Sequence, residues 1–584
     1  MIRSFKNLGA IFTKLYFLAA PYSRCKPLIV LAVTLTQGLF QVVGVTSIFP
    51  FLAIASDPAA FRASGIGTAI LGRLPELTDA AMLVWAGFFS IAMLAAANAS
   101  NLVSDYARAR YVQDLAHWLR LRLLSQIASQ PWSYFLRNNT GVLLKKTTVD
   151  VMEMTRGVIL PIFEGFGRLI TLLFLGVTLI LIDPWIALGA LAVLLLYYAS
   201  VLTYLRSRYA QASADQKIAH RGAMKEAQQL LGGIKPIKIQ HAEGRFIARF
   251  ATHSRTQARV NAKLPIYYQA PKYILEPIAF GGIIAVVIIQ AAMGRDFTTI
   301  LPTLGVIGLA GYRMLPAAQI LYAQISQVAT SRHALEEVYD EVQQQNLLTR
   351  GRSVVSVSFE PPPRLEWSHS IQLDHVAFGY PEAKKNVIDE FSLTISRNSS
   401  VGIVGPTGSG KSTLVDLILG LHRPTSGTIR VDGQSLGPDN IRSWQAGIGY
   451  VPQDVFLIDD TLARNIALGL PDAEIDRARL REVAAAAHIL NFIENDLPRA
   501  FDTRVGERGV RLSGGQRQRL AIARALYHKP SLLILDEATS ALDNATEAAV
   551  TEAITSLQGS VTMLVVAHRL STIERCEKVI DLSK

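Results

Sequence analysis

Six stretches of the chain are almost free of charge: residues 28–54, 81–103, 158–182, 185–203, 277–293 and 300–320. Most have roughly the 17–25 residues that a helix needs to cross the hydrocarbon core of a bilayer. Between the second and third stretches, and between the fourth and fifth, the apolar pattern thins without disappearing. In YARARYVQDLAHWLRLRLLSQI, Tyr111, Leu115, Leu119 and Leu123 recur every four residues with charges between them. That spacing puts one apolar stripe on a helix. It predicts membrane helices that continue into water as amphipathic extensions, in preference to separate surface helices. A polar linker is expected over 341–368, where the three prolines of FEPPPRLEW cannot continue a helix. From Ile371 onward, short apolar runs such as VGIVG and LLIL alternate with helical periodicity, the texture of a soluble α/β domain. The expected organisation is an α-helical six-span transmembrane domain over 1–340, the linker, and a C-terminal α/β domain over 369–584.

Composition agrees with a membrane-embedded part. Half of the 584 residues are hydrophobic and only 18% are charged. The net charge of +12 would suit a nucleic-acid binder, but its distribution reads differently. The loop between the first two stretches carries only Arg62 and Arg73, the third loop no Lys or Arg, and the fifth only Arg295. The loop at 104–157 carries eight basic residues, and that at 203–272 thirteen against three acids. Basic loops stay inside, so the even loops and both termini are expected in the cytoplasm, and no nucleic-acid partner is implied. The basic N-terminal segment has an apolar run, LYFLAA, too short for a secretory signal. Phe5, Leu8, Phe12 and Leu15 there fit the apolar side of an interfacial helix. Cys25 and Cys576 stand far apart, with neither metal spacing nor a disulfide framework.

The soluble part carries the chemistry. GPTGSGKS at 405–412 lies between the strand-like SVGIV and the helix-like TLVDLILG. Gly405, Pro406, Thr407, Gly408, Ser409 and Gly410 would wrap phosphate oxygens with backbone N–H groups at a helix N-terminus. Lys411 would reach the β- and γ-phosphates, Ser412 would ligate Mg²⁺, and Thr413 follows in the first helical turn. In LLILDE, four apolar residues make a buried strand with Asp536 at its end, suited to Mg²⁺, and Glu537 next, suited to polarise an attacking water. A glycine-rich turn and a strand ending in two acids each also occur for structural reasons alone, and it is their company that matters.

Between them lies RLSGGQRQRLAIARAL at 511–526. LSGGQ resembles the signature of ATP-binding-cassette ATPases. The resemblance implies that Ser513, Gly514, Gly515 and Gln516 face a γ-phosphate across a dimer. It also implies Tyr380 in FGYP as adenine stacker, Gln453 in VPQD at the nucleotide and its Mg²⁺, Asp543 in SALD at the nucleotide, and His568 in VVAHRLS as a catalytic residue with Glu537. Over the whole length the chain resembles a type IV ABC exporter half-transporter. TRVGERG, with Glu507, is similar to the loop that such exporters place against the membrane domain. GGIKPIKIQHAEGRF implies a coupling helix near Gln240–Glu243, and LRNNTGVLLKKTTVDV implies another. A homodimer with two composite ATP–Mg²⁺ sites is the assembly implied. The chain ends at VIDLSK, short of the last strand and helices the family carries, which leaves C-terminal dimer contacts open.

For cargo, FLAIASDP, PKYILEP and GYRMLP resemble flippases of lipid-linked oligosaccharide in bacterial protein N-glycosylation (the PglK type). That resemblance implies a polyprenyl-diphosphate glycan, membrane lipids as surroundings, and the bacterial inner membrane. It also implies a short helix in the first outside loop, which Ile66, Ile70, Leu71 and Leu74 fit and three nearby glycines weaken. Export of phospholipid, lipid A or peptide, and an ATP-gated channel, remain alternatives. Counted inward at about 1.5 Å per residue, Lys272, Glu276, Glu164, Arg168 and Arg313 fall in the inner-leaflet half or at its edge. Glu164/Arg168 and Lys272/Glu276 have the i,i+4 spacing of self-neutralising pairs. Arg313 has no acid within a turn of its own span and is the foremost candidate for the diphosphate, with Lys272 and Arg168 beside it.

Overall fold

The structure, a computed structural model, describes residues 2–64, 68, 78–182, 184–292, 297–348, 362–380, 385–506, 509–537, 544–567 and 573–583. The proposed first-loop helix at Ile66–Leu74 lies outside them, apart from residue 68. The chain divides into two compact units, residues 1–129 with 139–355, and residues 130–138 with 356–584.

The first unit is built from α1 (Ile2–Ala19), α2 (Lys26–Thr46), α3 (Ile48–Ser56), α4 (Asp79–Ala128), α5 (Leu160–Ile182), α6 (Pro184–Gly232), α7 (Glu243–Ala292) and α8 (Phe297–Leu348). Among the described residues, Lys26–Ser56, Asp79–Ala128 and Thr140–Leu181 are helical stretches long and apolar enough to cross a membrane. The other expected spans fall within the long helices α6, α7 and α8. α8 runs to Leu348, eight residues further than the domain boundary read from the sequence. The first span is split. Pro50 cannot donate to Thr46 and its ring crowds that carbonyl. The break falls at Ser47, whose carbonyl accepts from Ser90 Oγ at 2.6 Å.

The predicted extension of the second span is one continuous helix. Tyr111, Leu115, Leu119 and Leu123 are all buried, and they pack with Val151, Met154, Val158, Leu335, Val338 and Val342 into one core. α1 joins this core through Ile11, Leu15 and Leu18, while Phe12, expected on its apolar side, stands exposed. The lead-in to α5 contains two π-helical turns, Lys146–Asp150 and Thr155–Ile159. Ion pairs fasten this segment to α8, Lys145 to Glu337 at 3.2 Å and Lys146 to Glu341 at 2.5 Å, while Lys145 also pairs within the segment with Asp150 at 2.8 Å.

Gly167 on α5 gives room for a neighbour. A Cβ there would collide with the guanidinium of Arg108 on α4 and reach Thr34 Cγ2 at 3.1 Å. Arg108 is buried and pairs with Asp105. Gly167→Ala should force that guanidinium from its seat and destabilise the fold by about 1–3 kcal/mol, the usual cost of overpacking. Thermal unfolding in detergent checks this, and an unchanged midpoint would mean that Arg108 relocates freely.

The second unit carries an antiparallel sheet of order β2-β1-β4-β5 and a parallel sheet of order β6-β7-β8-β3-β9. The strands are β1 (Ser370–Phe378), β2 (Ile388–Ser396), β3 (Ser400–Val404), β4 (Ser426–Val431), β5 (Gln434–Ser435), β6 (Ile448–Val451), β7 (Leu532–Asp536), β8 (Thr562–Val566) and β9 (Lys578–Asp581). β7 and β8 are buried along their whole length, as unbroken apolar runs require when both faces of a parallel sheet are covered. β9 pairs in parallel with β3.

Candidate functional site

The glycine-rich loop leaves the C-terminal end of β3 and enters α9 (Lys411–Ile418). Gly408 and Gly410 take φ of 84° and 94°, which L-residues avoid. At Gly410, the helix cap, a Cβ would also strike Ile388 Cδ1 at 2.8 Å. Glycine there is dictated by conformation and by space. Lys411 is buried, and its ammonium donates to the carbonyls of Gly405 at 2.8 Å and Pro406 at 3.1 Å. It therefore lies across the mouth of the loop, where phosphate oxygens would compete for it. Ser412 is exposed in the first helical turn, and Ser409 Oγ is a buried hydroxyl with no protein partner. Thr413 is hydrogen-bonded through Oγ1 to the Tyr380 hydroxyl at 3.2 Å, so the tyrosine two residues beyond β1 is tied to the phosphate helix.

One strand removed from β3, across β8, β7 brings Asp536 to the same C-terminal end of the parallel sheet. Burial and the adjacent Glu537 push the Asp536 carboxyl above its ordinary range, a state that a bound cation would relieve. The Tyr450 hydroxyl donates to Asp536 Oδ2 at 3.4 Å. Glu537 departs from the strand at φ 49° while its N–H still donates to Val566 O at 2.9 Å. Its carboxylate accepts from Gln453 Nε2 at 2.6 Å, which brings together two residues 84 positions apart in the chain. The signature helix α10 (Gly514–Tyr527) is capped by Ser513. Ser513 Oγ accepts from Gln516 N at 3.2 Å, and Gln516 Oε1 accepts from Ser513 N at 2.8 Å. Gln516, expected at the nucleotide, thus spends its side chain on a capping box. Asp543, His568 and Glu507 lie outside the described residues.

In the membrane unit the expected charges find different partners. The Arg313 guanidinium donates to Gln41 Oε1, and Gln41 Nε2 donates to Ala97 O at 3.0 Å. Glu164 accepts from Gln324 Nε2 at 2.6 Å, and among the described residues no ion pair joins it to Arg168. The side chain of Lys272 lies outside the described ones. At the second expected coupling region, the short helix is Ile234–Ile239, and Gln240–Ala242 form the turn after it, with His241 at φ 50°. The first such region contains two short helices, Trp132–Arg137 and Thr140–Lys145.

Residues 388–540 match the ABC transporter family and residues 39–270 the ABC transporter transmembrane region. The chain is 32% identical, over 92% of its length, to the ATP-dependent lipid A-core flippase of Alkalilimnicola ehrlichii, and covers 89% of that protein. The chain belongs to the ABC transporters. It is an ABC exporter half-transporter, with one membrane unit and one ATPase unit, and ATP hydrolysis in the second is coupled to transport. It is also 32% identical to the heterocyst differentiation ATP-binding protein HepA of Nostoc, over 92% of this chain and 88% of that one. The flippase of Chromohalobacter salexigens shares 30% over 91% of each. A bacterial Atm1-family ABC exporter with ATP bound has the same fold, with a TM-score of 0.64 at 24% identity over 93% of both chains.

In this ABC exporter the donors at the loop fit Mg²⁺. A hydroxyl (Ser412), a buried strand-end carboxylate (Asp536) and an amide oxygen (Gln453) are the hard oxygen ligands that this ion prefers. Bound there, Mg²⁺ would neutralise phosphate charge. Two contributors escaped sequence reading. Tyr450 carries no motif and meets Asp536 only because β6 pairs with β7. Asp416, one turn beyond Ser412, is pushed up to about 6 by burial and by Asp536, and nothing in its sequence neighbourhood signals this.

Proposed function

We propose that this exporter forms a homodimer in the bacterial inner membrane and flips a polyprenyl-diphosphate-linked glycan from the cytoplasmic to the outer leaflet. Each protomer has six spans, with the cassette and both termini on the cytoplasmic side. The observation that carries the cargo reading is a band of polar side chains within an apolar helical bundle. It consists of Arg313 with Gln41, Gln37 Nε2 donating to Asn101 Oδ1 at 2.6 Å, Glu164 with Gln324, and buried Arg108. Polar groups at membrane depth are expensive and are usually retained for function. A guanidinium suits a diphosphate by paired hydrogen bonds while the prenyl tail stays among acyl chains. A lipid A-like phosphoglycolipid is the second reading, favoured by the names of several relatives.

In each ATP site the glycine-rich loop and Lys411 of one protomer hold the phosphates, Tyr380 stacks on the adenine, and Asp543 lines the site. Ser513, Gly514 and Gly515 of the other protomer close on the γ-phosphate. Glu537, oriented with His568, takes a proton from water as that water's oxygen bonds to γ-phosphorus and the bond to ADP breaks. Mass spectrometry of lipids that co-purify with a Glu537→Gln protein held in ATP–Mg²⁺ tests the cargo. Enrichment of a polyprenyl-diphosphate glycan is expected. Enrichment of a lipid A precursor selects the second reading, and bulk membrane composition alone defeats both.

A further inference from the structure

Three aromatic rings meet behind the glycine-rich loop. Phe378, at the end of β1, lies edge-on to Tyr380, with centroids 5.2 Å apart and planes at 80°. His422, just beyond α9, stacks on Phe378 at 4.8 Å and 28°, and meets Tyr380 edge-on at 5.6 Å and 87°. Phe378 and His422 are buried, whereas Tyr380 is part-exposed. The imidazole Nε2 has no hydrogen-bond partner, and the nearest acid, Asp416, lies 3.8 Å away. Burial lowers the affinity of the imidazole for a proton, so the neutral aromatic form is favoured. The ring serves here as a flat surface more than as a donor.

From this geometry we infer that His422 and Phe378 are positioning residues for nucleotide binding, forming a two-ring brace that holds Tyr380 in the orientation needed to stack on a purine base. The inference rests on the reading of Tyr380 as the base-stacking residue. Without the brace, Tyr380 keeps one tether, its hydroxyl bond to Thr413. That tether fixes the tip of the side chain and leaves the ring plane free to turn. Two edge-to-face contacts at right angles fix the plane. His422 follows α9 and its backbone N–H bonds to Asp416 O at 3.3 Å, so the brace and the phosphate-binding helix move as one piece. Base and triphosphate are then held in a constant relation.

The contacts concern ground-state binding of the base, so their loss should appear in KM and not in kcat. An aromatic pair of this kind corresponds to about a two- to twelve-fold change in affinity. With full-length protein in nanodiscs, His422→Ala and Phe378→Leu should each raise KM for ATP within that range and leave kcat within about two-fold. Their preference for ATP over CTP should shrink, because the larger base gains more from stacking. His422→Phe should behave as wild type. An unchanged KM in both His422→Ala and Phe378→Leu overturns the brace, and so does His422→Phe failing as badly as His422→Ala, since that would make the imidazole nitrogens the working part. If one of the two truncations does not fold, the other, read with His422→Phe, decides. Tyr380→Ala separates this inference from the reading beneath it. A KM that does not respond to Tyr380→Ala removes the base-stacking role itself. A KM that responds to Tyr380→Ala but to neither brace variant removes only the brace.

Discussion

Glu537→Gln should lower ATP turnover by about 10²–10⁴-fold, the usual worth of a positioned general base, and should leave ATP–Mg²⁺ binding close to wild type. The amide has the size and shape of the carboxylate but cannot accept the proton of water. Asp536, Ser412 and Lys411 are untouched, so the ligands proposed for phosphate and cation stay in place. The positive φ at this position is met equally by both side chains. The hydrogen bond from Gln453 Nε2 at 2.6 Å can be kept by the new amide oxygen. Steady-state hydrolysis and equilibrium binding of labelled ATP are the two measurements. Turnover near wild type would take the role of base away from Glu537.

Arg313→Ala should reduce flipping in sealed vesicles at least about ten-fold, as expected when a charge that contacts an anionic ligand is truncated, and should abolish stimulation of hydrolysis by cargo. Basal hydrolysis should stay within about two-fold. The link from Arg313 through Gln41 to the Ala97 carbonyl offers a competing account, in which the arginine merely ties α8 to α2 and α4. Gln41→Leu distinguishes them, because it breaks the link and keeps the positive charge. If Gln41→Leu flips normally and Arg313→Ala does not, the charge serves the cargo. Equal loss in both variants makes Arg313 a structural tie.

What could be read from the sequence was what depends on local order. The stripe Tyr111, Leu115, Leu119 and Leu123 is a property of one helix, and it is buried as its period requires. The glycine-rich loop, the strand ending in Asp536 and the signature are contiguous, so their chemistry is written in adjacent letters. Contacts across elements were opaque. Nothing near Gln41 announces Arg313, and the i,i+4 spacing of Glu164 and Arg168 suggested a pair that Gln324, from another helix, pre-empts. Gln516 shows a subtler limit. Its place in the signature suggested a ligand, but Ser-x-x-Gln is also a capping box, and in the described chain the helix start uses the side chain. The family resemblance pointed to Gln240–Glu243 for a coupling helix; the short helix there is Ile234–Ile239, and His241, with its left-handed backbone, stands in the turn that follows it.

The two π-helical turns ahead of α5 have a mechanical consequence. A π-turn closes its hydrogen bond one residue later than an α-turn. Each such residue turns everything beyond it by about 100° around the helix axis. Glu164, Gly167 and Arg168 therefore face directions offset by both insertions from those that a straight count from Lys145 would assign. The same arithmetic makes the segment a screw thread. Tightening one π-turn to α would index the whole polar face of α5 by more than a quarter turn, and would break the Glu164–Gln324 hydrogen bond and unseat Arg108 from Gly167. The two π-turns thus set the rotational phase at which α5 presents Glu164 to Gln324 and Gly167 to Arg108.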